Sequence, residues 1–589
     1  MGGTGIRHTF WVLFRAVVFC LVLIATGLPA PAEETVKNPE TYVHVGPGDW
    51  DTLDPAVAYD ISSDTVIANI YEPLIDFDGV HVDRYVPLLA TDVPSLKNGL
   101  LSRDGRVYTF PIRQGVRFHD GTLMRPQDVA YSLRRFLLIG APVSALLLEP
   151  FLGIYHVQDE EGKLAFSFAD LERVIRVHGD SVVLTLPAPF GPFLSVLAGF
   201  SFVVSEQWAR ANGDWDGTAA TLPRHANAKK ESTAFFARAN GTGPFKLEQW
   251  DRAGRQLVLA RNDAYWRIPP RLARVVLRAV PETTTRVLMF KSGDADSIVL
   301  GRRDLPLVEG APGVRVIDNL PLTTRLSSVL WFVMDIDTQG NPNTVSGRLD
   351  GNGIPGDFFT DVHVRRAFGY AFDYETFIAS AYRGKAVPAR GMFPRGMLGY
   401  RLGQDYFTLD RGKAIAEFKA AWGGAIWERG FRLTILHITG VAESEVAILL
   451  LKEGIESLNP RFKIDTRSLL YSSFIEELHA HRAPAFWSGY EADYPDPHNA
   501  AFAMLHSGSM RIQRYQTPGE VDSLIIDALR EADPRKREAL YFEINRKYFE
   551  LAPSITTVSP VGFRAQRSWV RGWYFNPARF FRYYSIWKS

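Results

Sequence analysis

The chain has 589 residues, 46% of them hydrophobic and 22% charged, with a formal net charge of +1. That length exceeds one compact core and predicts two or more lobes, while the charge balance gives neither a basic surplus for nucleic acid nor an acidic tail. Cys20 is the single cysteine, so no disulfide framework, thiolate metal site or cysteine nucleophile is expected in the mature protein.

The first residues read as a secretory signal over 1–32. Arg7 and Arg15 supply its positive region, Ala16 to Gly27 a short apolar stretch, and Ala30-Pro31-Ala32 small residues for cleavage after Ala32. The short apolar stretch argues against an uncleaved anchor, and Phe19 before Cys20 argues against a lipoprotein. The expected address is the periplasm. Beyond this stretch no window is long and apolar enough to span a membrane.

Tyr108 to Arg135 is the most patterned segment, read as strand, turn, strand, turn and helix. Tyr108, Phe110 and Ile112 alternate with their neighbours at period two, and Pro111, which cannot donate to a ladder, predicts an edge strand. Asp120-Gly121 marks a tight turn. Pro126 suits a first helical position, and Val129, Leu133, Phe136 and Leu137 follow at helical spacing. Further strands are expected at Val182–Leu186, Gln256–Leu259, Val275–Val280 and Ala485–Gly489. Thr218–Asn240 is the most linker-like stretch, and Asp337–Asp357, rich in Gly, Asn and Asp, reads as an exposed loop. Alternating strands and helices with no fixed repeat predict α/β or α+β lobes.

Several chemical motifs are missing. Gly241-Thr242-Gly243-Pro244 lacks the Gly-Lys-Ser/Thr of a phosphate loop, and there is no His-Glu-x-x-His or Gly-x-Ser-x-Gly. Asp493 and Asp496 lack the spacing of a calcium loop. His498 and His506 are two isolated histidines, more often structural or exposed than metal-bound. No cofactor and no metal site is expected. A carboxylate pair acting as acid and base stays open, since separation in space is invisible in sequence.

Five segments stand in a recognisable order: Leu53-Asp54-Pro55 with Asn69-Ile70-Tyr71-Glu72-Pro73-Leu74; the Tyr108–Arg135 block; Gly241-Thr242-Gly243-Pro244-Phe245 with Arg261-Asn262-Asp263-Ala264-Tyr265-Trp266; Val364 to Asp373; and Glu491-Ala492-Asp493-Tyr494-Pro495-Asp496-Pro497. In this order they resemble the family 5 extracytoplasmic solute-binding proteins, the peptide-, nickel- and opine-type receptors of ABC importers. The resemblance implies a two-lobed fold with a domain inserted in the first lobe and a cleft that closes by hinge motion. It implies lobe I at 33–75, 195–310 and 555–589, the inserted domain at 76–194, and lobe II at 311–554.

The resemblance also implies a non-enzymatic receptor, expected to act as a monomer. It would capture a small solute, short peptides first, and deliver it to inner-membrane permease subunits, with no nucleic-acid partner. A non-peptide solute on the same fold, a secreted hydrolase and a signalling-coupled receptor are the alternatives. Asp493 matches the aspartate that pairs with a peptide's α-amine, as a bound ammonium must be paired once it leaves water; spacing alone reads it as a turn residue before Pro495. Asp496 is the better purely turn-forming residue. Tyr490 matches an aromatic of the ligand wall and equally reads as core; Trp487 reads as core. Arg395 resembles an arginine that holds a ligand carboxylate bidentately, or is a surface residue among Arg383, Lys385 and Arg390.

Overall fold

The computed structural model describes residues 35–589 apart from 141, 160, 510–515, 532 and 580. The signal sequence 1–32, its cleavage site after Ala32 and Cys20 lie outside the described residues.

Twelve strands form one large sheet. In chain order they are β1 (Thr41–Gly46), β2 (Phe245–Asp251), β3 (Gln256–Arg261), β4 (Arg274–Ala279), β5 (Ser297–Ile298) and β6 (Val314–Pro321), then β7 (Arg325–Phe332), β8 (Ala386–Pro388), β9 (Phe431–Ile438), β10 (Phe462–Leu469), β11 (Ala485–Glu491) and β12 (Ser554–Arg567). The hydrogen-bonded order is β10-β9-β11-β7-β12-β5-β1-β4-β3-β2, with β6 and β8 also pairing with β12. β1 lies parallel between β5 and β4, and β9 parallel between β10 and β11. Such strands are covered on both faces and read as near-continuous apolar runs. β9, Phe-Arg-Leu-Thr-Ile-Leu-His-Ile, is of this kind.

The fourteen-residue β12 joins the two halves of the sheet. Its first part pairs with β7 and β8, up to Pro560 opposite Ala386. From Val561, opposite Pro321, it pairs with β6 and then β5. The chain therefore crosses between halves twice, at 321–325 and at 560–561. Each half has its own apolar core, one drawn from 42–279 and 569–586 with Tyr494 and Leu529 reaching in, the other from 326–558.

A separate three-stranded antiparallel sheet pairs Val107–Pro111 with Ser181–Thr185 and that strand with Ile175–His178. Val107–Pro111 is at its edge, as Pro111 predicts. Gly121 turns with φ +90°, and Pro126 opens the helix Pro126–Ile139, where Val129, Leu133, Phe136 and Leu137 are all buried. The expected second strand of this block is only a single bridge between Arg117 and Leu123, because no neighbouring strand extends it.

Buried polar groups tie the distant segments together. Arg135, at 1% side-chain exposure, is held bidentately by Asp54 at 2.8 and 2.6 Å and by Asp214 at 2.7 and 2.8 Å. Glu72 accepts from Thr242 at 2.8 Å, Tyr265 at 2.5 Å and Trp266 at 2.9 Å; burial raises its carboxyl although these donors act to lower it. Gly243 donates to Ile70 O at 2.8 Å, and a Cβ on Gly241 or Gly243 would stand 2.2 or 2.6 Å from that oxygen, so only glycine admits the approach. The stretch expected to be most linker-like, 218–240, is bound in instead. Phe235 is fully buried with the Arg135 guanidinium 4.9 Å from its ring, and Asn240 bonds Asp120. The loop at 337–357 is exposed only in part, since Asn341 and Asn343 are buried and bond the Arg482 carbonyl.

His119 clamps the same glycine segment. Its Nε2 reaches Gly243 O at 3.1 Å, its Nδ1 accepts from Gly241 N–H at 3.4 Å, and its backbone N–H donates to Gly241 O at 2.8 Å. Burial lowers its pKa from 6.5 to about 4. Between those values the folded protein holds fewer protons than the unfolded chain, so stability falls as pH drops through this window. Thermal unfolding recorded from pH 7 to 4 should show that loss, and H119Q should flatten part of the slope.

Candidate functional site

A cavity of about 590 Å³ opens where the two halves of the sheet meet, within the range of small-molecule sites. One wall comes from the end of β1, the start of the helix Ile61–Ile70 and the loop after β5. The other comes from Tyr382, from Val441 and Glu443 at the start of the helix Ala442–Glu456, and from Glu491 at the end of β11. Both chain crossings floor it, through Leu320–Arg325 and Pro560–Arg564, and the C-terminal Trp573, Phe575 and Phe581 close one end. Glu443 reaches across the gap, its carboxylate 3.3 Å from where a Cβ on Gly301 would lie.

The wall near β11 is acidic. Glu491 faces the cavity 3.9 Å from Arg325, its register partner on β7. Burial raises the Glu491 carboxyl; Arg325 acts against this, and the nearby carboxylates of Asp493 and Asp64 add to it. Period two along β11 sends Tyr490 to the opposite face, over Leu326 and into the core, where it is 5% exposed. Of the two expectations for Tyr490, its placement is that of a core aromatic and not of a cavity wall. Its hydroxyl donates to Asn499 Oδ1, which also accepts from Asp493 N–H at 3.2 Å, while Asn499 Nδ2 donates to Asp493 Oδ2 at 3.0 Å. Asn499 thus brings Tyr490 and Asp493 together. Asp493 stands half-buried just past the strand, behind Glu491 and not in the cavity wall itself.

Asp496 caps the helix Pro497–Leu505 by accepting from His498 N–H at 2.9 Å, and it pairs with Arg537 at 2.7 Å. Trp487 is buried and donates to Ser328 Oγ at 2.7 Å. His498 is buried 3.1 Å from Glu149, a contact that holds the second half against the helix Ala145–Leu152. Arg395 is exposed in the turn 394–397, makes no ion pair with a described residue, and does not line the cavity.

The cavity lining also carries arginine and aromatic side chains. Arg302 is paired with Asp318 at 2.8 Å. Arg564 is buried with its guanidinium 4.5 Å from the Trp573 ring and 5.1 Å from Phe581. Sequence patterns singled out neither Arg564 nor His44, and Glu491 was visible only as part of a landmark.

Residues 84–511 match the model of the bacterial extracellular solute-binding proteins, family 5. The chain belongs to this family. The solute-binding protein is 24% identical over 584 residues to di/tripeptide-binding protein 2 of Pseudomonas aeruginosa, covering 95% of this chain and 97% of that one. It shares the fold of the periplasmic binding protein DppA from Helicobacter pylori in complex with the peptide STSA, with a TM-score of 0.73 and 21% identity over 93% and 98% of the two chains. It is similar in the same way to AgaA from A. tumefaciens in complex with agropinic acid, with a TM-score of 0.69 and 22% identity over 93% and 99%.

Proposed function

We propose that this solute-binding protein captures a short peptide in the cavity between its lobes and hands it to the permease subunits of an ABC importer. It does so in the periplasm, after its signal is cleaved behind Ala32, as a monomer and without chemical change to the ligand. The observation that carries the reading is a cavity walled by both halves of the sheet and lined by carboxylates, Glu443 and Glu491, together with arginines, Arg302, Arg325 and Arg564. A zwitterionic ligand matches a lining of both charges, and fold alone does not choose it. Relatives named as di/tripeptide-binding, and a structural neighbour holding a tetrapeptide, support the same choice.

In this reading lobe I comprises residues 35–75, 195–321 and 561–589, the inserted domain 76–194, and lobe II 322–560, with the two crossings as the hinge. Glu491 receives the ligand's ammonium, Asp493 adds its negative field from beside it, and Tyr490 fixes Asp493 through Asn499. Arg395 would meet the ligand only from the rim. Mass spectrometry of ligand carried through purification from the periplasm tests the class: intact peptides of two to five residues are expected. An opine or other non-peptide solute in their place would favour the second reading, which the likeness to AgaA keeps in view.

A further inference from the structure

The least compensated charge around the cavity is Arg564. It is buried, and no carboxylate among the described residues lies within ion-pair distance. Its Nε donates to Gln566 Oε1 at 2.8 Å and its Nη2 to the Tyr42 hydroxyl at 2.6 Å, while Nη1 has no hydrogen-bond partner among the described residues. Two aromatic faces and two neutral acceptors soften the burial of a guanidinium but do not neutralise it. A buried cation of this kind is normally paired. Its free edge belongs to the cavity wall.

A hydrogen-bond chain leads from Arg564 to a second donor. Tyr42, accepting from Arg564, donates to Ser297 Oγ at 2.7 Å, and Ser297 stands 2.7 Å from His44 Nδ1. Ser297 Oγ, accepting from Tyr42, can donate its own hydrogen to His44 Nδ1. Burial, reinforced by the Arg564 charge, lowers the His44 pKa to about 3, so the ring is neutral. In the tautomer that accepts from Ser297, the ring's one hydrogen is on Nε2, which has no partner among the described residues and sits beside Gly46 in the cavity wall. The wall therefore presents a guanidinium edge and an oriented imidazole N–H side by side, both donors and neither satisfied.

We propose that Arg564 and His44 form an anion subsite that takes a carboxylate of the bound ligand, with the Tyr42–Ser297 chain as its positioning element. This rests on reading the cavity as the ligand site. With the ammonium at Glu491, it makes the cavity select ligands by both charged ends. Arg564, not Arg395, is then the carboxylate contact. The planar guanidinium matches that group, and the neutral histidine adds a donor without adding charge.

Calorimetry on the mature protein stripped of ligand tests this with three probes: trialanine, trialanine amide and succinate. The wild type should bind trialanine about a hundredfold more tightly than its amide, and R564Q should abolish that preference while R395A leaves it intact. Equal binding of acid and amide by the wild type overturns the subsite, even with peptide binding confirmed. If succinate alone binds, and R564Q abolishes it, the subsite stands and the peptide reading falls. Should R564Q fail to fold, the wild-type acid-to-amide ratio still decides, with Y42F expected to narrow it. Binding of no probe overturns the proposal.

Discussion

Arg135→Met should destabilise the protein by about 3–5 kcal/mol, the cost of removing one partner from a buried ionic cluster. The loss is large because two carboxylates converge on one guanidinium. The side chains of Asp54 and Asp214 are each at most 2% exposed, and the oxygens that accept from Arg135 also accept from the N–H groups of Ala56, Trp215 and Ala234. Without Arg135 these two negative charges face each other with no water to screen them. Burial would raise the Asp214 carboxyl, but Arg135 holds it below the ordinary range. Its contribution is therefore complete above about pH 4, the unfolded value, and is lost as pH falls through the lower folded one. The triple variant D54N/R135M/D214N, which removes all three charges, should recover part of the loss. Denaturant unfolding measures both; a loss below 1 kcal/mol in R135M would show that the cluster does not hold the first lobe together.

Glu491→Gln should weaken binding of a free-amine peptide by about 30- to 1000-fold, the range for truncating one side of a desolvated charge pair, and Asp493→Ala, acting through the field alone, by less. Glu491 lines the cavity; Asp493 stands behind it and shares its field. N-acetylation of the peptide should cost a similar factor in the wild type and nothing further in E491Q, because the same interaction has already been removed. Tyr490→Phe should have a smaller effect, acting only by freeing Asn499. The raised Glu491 carboxyl adds a pH signature. As pH falls through that raised value the acidic wall loses charge, so affinity for the ammonium should fade at a pH above an ordinary glutamate's, about 4.3. Unchanged affinity in D493A and E491Q together would remove the amine end from this wall.

The sequence carried the scaffold far better than the site. Asp54, Arg135, Glu72 and Tyr265 all fell within its landmark segments, since local patterns around them are strong. That Arg135 meets Asp54 81 positions away was beyond such patterns. Linker-like composition misled at 218–240 because Phe235, a single buried ring, outweighs many polar neighbours. The alternation of β11 runs two residues past the expected Gly489 and puts Glu491 on the cavity face and Tyr490 on the core face. Arg564 gave no signal at all: it lies in a strand without distinctive residues, and its partner Tyr42 is 522 positions away. Arg395 shows the reverse, a local match on an exposed turn that the fold does not bring into the cavity.

The central claim, a cavity that holds a short peptide by both ends, is tested most directly by calorimetry. Unblocked, N-acetylated and C-amidated trialanine are titrated into the ligand-free protein. One-to-one binding of the unblocked peptide, weakened about a hundredfold by blocking either end, is the predicted result. Binding indifferent to both blocks, or binding of a non-peptide solute with no response to any peptide, would contradict it.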